Sequence, residues 1–180
     1  MRRVVGAVAL LGMLALSGCG GGDPLPTLPP TPSSTPVFAS EEEALAAAEE
    51  AYAAYLEMSN LITSESGANP ERIASLVSER RLADELEGFE IYRASQIHTI
   101  GSDTFEVRDL QRVDETSAGA EVVIYVCWDA SNVRVIDLNG DDITPPDRDV
   151  RDLLEIVMVT VDGELPLRLD SDLAWQSDSC

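Results

Sequence analysis

The stretch EVVIYVCWD, residues 121–129, decides the fold of this 180-residue chain. Its even positions hold Val122, Ile124, Val126 and Trp128, and its odd positions hold Val123, Tyr125, Cys127 and Asp129. Successive side chains of a β-strand point to opposite faces, so both faces of this segment are largely apolar. A strand of this kind must be covered on both sides. The pattern therefore predicts the central strand of a sheet.

Other segments with the period of two surround this strand. Residues 132–138, 152–161 and 165–169 are predicted strands, and 104–113 is a weaker one. Asp162-Gly163 is a hairpin signal between the last two. We therefore expect a sheet of four to five antiparallel strands.

Helical spacing dominates the residues before the sheet. Ser40 and Glu43 form a capping box, and the apolar spacing predicts a helix to about residue 64. Asn69 is predicted to cap a second, short helix with Pro70 at its first position. Ser78 is predicted to cap a third helix that ends near residue 97. Three helices followed by strands predict an α+β domain, with the helices packed on one face of the sheet.

This order resembles the nuclear transport factor 2-like (cystatin-like) fold, as found in small Gram-positive lipoproteins. The matching segments are AAEEAYAAYLEMSN (47–60), NPERIASLVS (69–78), EGFE (87–90), YVCWD (125–129) and a terminal Trp175 followed by Cys180. The resemblance implies a curved sheet wrapped around the helices and a pocket between the two layers. Some members of this fold are isomerases, dehydratases or cyclases that use an Asp or a His in the pocket, and many have no known activity.

The charge of the chain limits its partners. Thirty-three acidic residues oppose twelve basic ones, all of them Arg, which gives a formal net charge of −21. Nucleic acid and anionic lipid are excluded as surface-wide partners, because both would be repelled at long range. The acidic charge is typical of a soluble exported domain, and steering of a cationic partner is the alternative interpretation.

The N-terminus has the three parts of an export signal. Two arginines precede thirteen uncharged residues, Val4 to Leu16, a run too short to span a membrane. Leu16-Ser17-Gly18-Cys19 then resembles the lipobox of bacterial lipoproteins. The resemblance implies that residues 1–18 are removed and that Cys19 carries the acyl chains. The protein would then be anchored on the outer face of the cytoplasmic membrane. The alternative is a secreted protein in which Cys19 is incidental.

Residues 19–39 are predicted to be a stalk after the lipidated Cys19. Residues 20–39 contain six prolines and three leading glycines, a composition that favours an extended spacer. The folded domain is predicted to occupy residues 40–180. Cys127 and Cys180 then remain as an even pair in an oxidising compartment, which predicts a disulfide, with two free thiols as the alternative.

Candidate pocket residues are few. We expect eight aromatic or titratable side chains either to line a pocket or to form part of the core. They are Tyr52, Tyr55, Phe89, Tyr92, His98, Asp129, Glu155 and Trp175. We expect no buried titratable pair in the first and third helices, because few ionisable groups interrupt their apolar stripes. His98 is the only histidine, and as a general base it would need a pocket and an orienting acid, for which Asp103 and Asp129 are the nearest candidates in the sequence.

One acidic loop resembles part of a calcium site. Asp137, Asn139 and Asp141 match the first three ligand positions of an EF-hand loop. Asp142 occupies the position that requires Gly, and Arg148 the position that requires Glu. A turn between two strands explains the stretch without a metal, so the sequence predicts no metal site and no cofactor.

These observations favour a lipid-anchored, extracytoplasmic, non-catalytic domain that binds a small molecule, a peptide or an envelope protein. The alternative is a pocket enzyme that catalyses proton transfer with His98 or a buried acid as base. A third interpretation is a structural spacer in the cell envelope.

Overall fold

The computed structural model describes residues 36–175 and residue 180. The predicted signal segment 1–18, Cys19 and the stalk up to residue 35 lie outside the described residues. The elements are α1 (Glu41–Ser64), a 3-10 helix (Pro70–Ser75), α2 (Glu79–Ser95), β1 (His98–Ile100), β2 (Thr104–Thr116), β3 (Gly119–Asp129), β4 (Arg134–Ile136), β5 (Arg151–Val161) and β6 (Glu164–Ala174). Helices followed by antiparallel strands confirm the predicted α+β class.

The start of α1 follows the predicted capping box with one change. The Ser40 hydroxyl accepts the Glu43 backbone N–H at 3.2 Å, as expected of an N-cap. The Glu43 carboxylate accepts the backbone N–H of Ala39 at 2.6 Å instead of that of Ser40. The first turn also carries Glu41 and Glu42, whose charges favour the positive helix end. No helix among residues 36–175 is long and apolar enough to cross a membrane.

The second predicted helix is a single 3-10 segment. Asn69 has a left-handed backbone with φ 50° and makes no side-chain cap, so the predicted cap is wrong. Its carbonyl oxygen accepts the backbone N–H of Arg72 at 3.3 Å instead. The Ser78 cap of α2 is confirmed, because its hydroxyl accepts the N–H of Arg81 at 3.3 Å. The helix ends at Ser95, two residues before the predicted end.

The main sheet has four antiparallel strands in the order β2-β3-β5-β6. β3 lies in the middle, as predicted, with Val122 opposite Val113 of β2 and Met158 of β5. The Asp162-Gly163 turn joins β5 to β6 with φ values of 55° and 75°, which the positive-φ hairpin turn requires. β6 continues to Ala174, beyond the predicted end at residue 169.

One predicted strand does not join this sheet. Of residues 132–138, only Arg134–Ile136 is extended, and it pairs with β1 in a separate two-stranded sheet. β1 was not predicted, because three residues are too few to display an alternating pattern.

The core lies between the helices and the face of β3 that carries the even-numbered residues. Its fully or nearly fully buried members include Ala44, Ala48, Tyr52, Leu56, Ile62, Ile73, Val77, Phe89, Val122, Ile124, Val126, Ile156, Met158, Leu167 and Leu169. The segment before α2 also covers the edge of β6. There the Ser78 N–H donates to the Leu169 carbonyl at 2.8 Å, and the Leu169 N–H donates to the Leu76 carbonyl at 2.9 Å. The helical layer is therefore attached to the sheet by backbone hydrogen bonds as well as by apolar contacts.

A pair of glycine substitutions tests the packing of α1 against α2. Gly67 follows α1 with φ +72°, and a Cβ there would lie 2.2 Å from the backbone oxygen of Phe89. Gly67→Ala should therefore lower the free energy of unfolding by more than about 1 kcal/mol. Gly88 is helical with open space at its Cβ position. Gly88→Ala should therefore raise the free energy of unfolding by roughly 0.5–1 kcal/mol. Urea unfolding followed by circular dichroism measures both, and a neutral Gly67→Ala would contradict the close helix contact.

Candidate functional site

A buried charged cluster joins the two helices to β6. The Tyr55 hydroxyl of α1 donates to Glu85 Oε1 at 3.0 Å. Arg81 Nε of α2 donates to the same oxygen at 2.7 Å, and Arg81 Nη1 pairs with Asp172 Oδ1 of β6 at 2.8 Å. The Glu85 side chain is only 7% exposed. The guanidinium of Arg81 thus pairs with two carboxylates in the helix–sheet interface. We call Tyr55, Arg81, Glu85 and Asp172 the Arg81 cluster.

The surroundings of the Arg81 cluster shift the titration of its members. Burial raises the pKa of Asp172, while Arg81 lowers it and Glu85 raises it again. Burial also raises the pKa of Tyr55, and the Glu85 carboxylate adds to that shift. Burial opposes the charge of Arg81, but Asp172 and Glu85 outweigh burial and raise the pKa of the guanidinium. Arg81 therefore favours the ionised form of Asp172 against the effect of burial.

The expectation of no buried titratable pair in the first and third helices is wrong, because Tyr55 and Glu85 meet between them. A signal for Glu85 was present in the sequence. It stands three residues after Leu82 and four before Phe89, on the stripe predicted to face the core, and Arg81 precedes it by one helical turn. The β6 partner, Asp172, has no comparable local signal.

A groove lies between the second half of α1 and the segment leading into β2. Its volume is about 630 Å³. The lining residues are Ala53, Leu56, Glu57, Asn60, Leu61, Ser64, Gly101, Ser102, Asp103, Thr104 and Phe105. Asn60 holds the segment to the helix, because its amide donates to the Asp103 carbonyl at 3.4 Å and accepts the Asp103 N–H at 3.2 Å. We call this feature the α1–β2 groove.

Asp103 is the half-buried carboxylate of the α1–β2 groove. Its Oδ2 accepts the indole N–H of Trp128 at 2.7 Å. Its Oδ1 is buried and has no hydrogen-bond partner among the described residues. A buried carboxylate oxygen that lacks a donor is costly, so this atom marks a place where a ligand group would be favoured. Asp103 was a sequence candidate only as an orienting acid for His98, and Asn60 was not a candidate, because only the fold brings residue 60 to residue 103.

The predicted aromatic candidates belong mostly to the core. Tyr52, Tyr55 and Phe89 are buried in it. The Tyr52 ring meets the ring of Phe105 edge to face at 4.8 Å, directly behind the α1–β2 groove. Burial raises the pKa of Tyr52, as do the Asp172 and Asp103 carboxylates. Tyr92 is half-buried, and burial raises its pKa with a further contribution from Asp103.

His98 lies apart from both features. It begins β1 opposite Ile136 and is half-buried. It lines a surface hollow of about 350 Å³ together with Ser66, Arg93, Gln96, Asp137 and Leu138. The orienting acids considered for His98, Asp103 and Asp129, do not line this hollow. The nearest acid in it, Asp137, is engaged in a turn.

The remaining pocket candidates belong to the end of β3 and to the sheet face opposite the helices. Asp129 accepts the Ser131 N–H at 2.8 Å and pairs with Arg151 at 3.2 Å. The hydrogen bonds from Ser131 lower the pKa of Asp129. Glu155 accepts the hydroxyl of Tyr125 at 3.2 Å on the opposite face. The eight candidates therefore do not form one pocket.

The C-terminus is attached to the same opposite face. The Cys127 and Cys180 sulfurs lie 2.11 Å apart, the distance of a disulfide bond, which agrees with the predicted pairing. The Trp175 ring packs at 5.2 Å from the ring of Tyr125. Together they cover part of the second apolar face of β3.

The acidic loop forms a turn through its own hydrogen bonds. Asp137 Oδ1 accepts the backbone N–H groups of Asn139 and Asp141, each at 2.8 Å. The Asp141 N–H is the largest cause of the lowered pKa of Asp137. Within residues 36–175 and 180, no three His, Cys, Asp or Glu side chains are grouped to hold a metal ion.

No protein-family model matches this chain, and no curated protein matches it.

Neighbouring arginines test the Arg81 cluster. Arg81→Met should lower the free energy of unfolding by about 3 kcal/mol, because it leaves two largely buried carboxylates without their cation. Arg80→Met is the matched control, since the Arg80 side chain is 70% exposed in its pair with Asp170. It should cost less than about 1 kcal/mol. Equal losses in urea unfolding would show that the cluster contributes no more than a surface ion pair.

The disulfide has its own test. Cys180→Ser frees a loop with a sequence separation of 53 residues, which by loop-closure entropy costs at most about 4 kcal/mol of stability. We expect a lower melting temperature for this variant. We also expect Cys127 and Cys180 of the parent chain to resist alkylation until a reductant is added. Alkylation of both thiols in the unreduced native protein, read by mass spectrometry, would contradict the bond.

Proposed function

We propose that this chain is a lipid-anchored extracytoplasmic lipoprotein whose domain binds a ligand and does not catalyse a reaction. The observation that carries the binding role is the α1–β2 groove with the unpartnered Oδ1 of Asp103. The lipobox-like Leu16-Ser17-Gly18-Cys19 supports the anchoring on the outer face of the cytoplasmic membrane.

The size and lining of the groove suit a small ligand. Its volume of about 630 Å³ lies within the range of typical small-molecule sites, roughly 300–1,000 Å³. Leu61 leaves 42% of its surface exposed and adds apolar surface to the groove, which a bound ligand would cover. Asn60 is committed to the backbone of Asp103, so it positions the wall and is not free to act on a substrate.

The groove lies far from the point at which the chain enters the domain. The chain enters the domain at Phe38, whose backbone N–H donates to Glu115 near the end of β2 at 3.0 Å. The groove lies at the other end of β2, at Thr104, roughly 35 Å away at the rise of an extended strand.

We also propose the finer fold assignment, a nuclear transport factor 2-like domain. Three observations support it: the helices precede the strands, they pack on one face of the antiparallel sheet, and the longest helix crosses that face. The strand order of a simple meander with a separate two-stranded sheet is compatible with this assignment.

A second candidate function is proton transfer inside the helix–sheet interface. The observation in its favour is the Arg81 cluster, where burial raises the pKa of Asp172 and Tyr55. We rank it below ligand binding because both carboxylates of the cluster are already paired with Arg81 and the core around them is packed. If the groove binds no ligand, the interpretation of the chain as a structural spacer in the cell envelope is favoured.

The anchor can be tested with the full chain in a bacterial host. Cys19→Ser should move the protein from the membrane pellet to the soluble extracytoplasmic fraction, because position 19 then has no thiol to be acylated. It should also abolish labelling by radioactive palmitate.

The matched control is Cys180→Ser, which makes the same chemical change at the other end of the chain. This variant should still sediment with membranes and take up the label. If Cys19→Ser sediments and is labelled like the parent chain, the anchoring proposal is wrong.

A further inference from the structure

We infer that the α1–β2 groove binds a small organic cation, an ammonium group on a short apolar body. This inference rests on the proposed binding function and names the chemical class of its ligand. Three properties of the groove lead to it: the sign of its charge, its missing hydrogen-bond donor and its apolar wall.

The charge of the groove has one sign. Among the described residues, Glu57 and Asp103 are its ionisable lining residues, and neither an Arg nor the single His lines it. The formal net charge of −21 extends the negative potential beyond the groove. Such a field raises the local concentration of cations and their rate of association, and it repels carboxylates and phosphates. A charged ligand of this groove is therefore positive.

The hydrogen-bonding pattern requires a donor. An ionised carboxylate only accepts hydrogen bonds. One oxygen of Asp103 has the indole N–H of Trp128, whereas Oδ1 has no donor among the described residues. An ammonium group supplies three N–H donors together with the complementary charge, and charge-assisted hydrogen bonds are the stronger kind.

The wall of the groove requires an apolar body. Leu56, Leu61 and Phe105 line it, and the Phe105 ring is held in place against Tyr52. An inorganic cation or a fully hydrated polyamine would leave this wall exposed to water. A chain of several methylenes would cover it, at a gain of about 0.8 kcal/mol per buried CH₂ group.

Access to Asp103 involves one short segment. Oδ1 is covered by its neighbours, while Ser102 beside it is exposed. A ligand N–H therefore reaches Oδ1 only when the residues that cover this oxygen move aside. Gly101 fixes the start of this segment, because a Cβ there would lie 2.1 Å from the backbone oxygen of Asn132.

The test uses the indole N–H of Trp128 as a reporter in the ¹⁵N-labelled full chain. The chain has two tryptophans, so Trp175→Phe assigns the indole signal. Hexylammonium, hexanoate and hexanol are titrated separately at about 0.15 M salt, where exposed charges are largely screened. We expect saturable shifts of the Trp128 indole signal and of the 101–105 amides with hexylammonium. We expect at least about tenfold weaker binding of hexanoate and hexanol.

Two variants and one control locate the cation. Asp103→Asn should weaken hexylammonium binding at least about tenfold, in line with the loss of a charged hydrogen-bond acceptor. Leu61→Arg adds a fixed cation to an exposed position of the wall and should weaken hexylammonium binding as well. This variant tests the inference independently if Asp103→Asn perturbs the fold. Asp84→Asn, an exposed carboxylate on α2, should leave the affinity unchanged.

The outcomes separate this inference from the binding function beneath it. If all three probes bind in the groove equally and Asp103→Asn has no effect, the cation inference is overturned and the binding role stands. If Asp84→Asn weakens the binding of hexylammonium as much as Asp103→Asn does, the binding depends only on the overall negative charge of the protein. The inference is then also overturned. If no probe shifts the groove signals, both the inference and the binding role of the groove fail.

Discussion

β3 is apolar on both faces, and the rest of the described structure supplies a cover for each of them. Val122, Ile124 and Val126 face the helices and are fully buried there. Val123 and Cys127 face the other way and are also buried, at 1% and 3% exposure. Because exposed apolar surface costs free energy in proportion to its area, neither face can be left open to water. The helical layer covers the first face, and the disulfide with the packed Trp175 covers part of the second.

The helical layer that covers the first face brings two carboxylates close together, and Arg81 compensates their negative charge. α2 brings Glu85 into the interface, and β6 brings Asp172 from the opposite side. Two carboxylates in a partly desolvated interior repel each other and oppose burial. Arg81 contacts both, and Tyr55 adds a hydrogen bond from α1, so the polar groups of three elements satisfy one another. The interaction orients α2 on the sheet and leaves these carboxylates paired.

Asp103 is in a different situation, and this contrast separates a structural cluster from a candidate binding site. Its carboxylate has one neutral donor, Trp128, and no arginine. It also borders a groove that leaves Leu61 exposed. A carboxylate with a missing donor beside an uncovered apolar wall is complementary to an amphipathic cation. The acidic composition that argues against nucleic acid as a partner also fits the preference for a cation that we propose for this groove.

The sequence by itself determined the class of the fold, the central position of β3, the Ser40 and Ser78 caps, the Asp162-Gly163 turn and the cysteine pair. These features depend on local periodicity, on capping and turn chemistry, or on counting, and such signals extend over a few neighbouring residues. Only the tertiary structure decided that residues 134–136 leave the main sheet, that Glu85 is buried with Asp172, and that Asn60 and Asp103 form a groove. Each of these features depends on contacts between residues far apart in the chain. The free energy of such contacts depends on burial and on which hydrogen-bond donors are near, and neither can be read from a single segment.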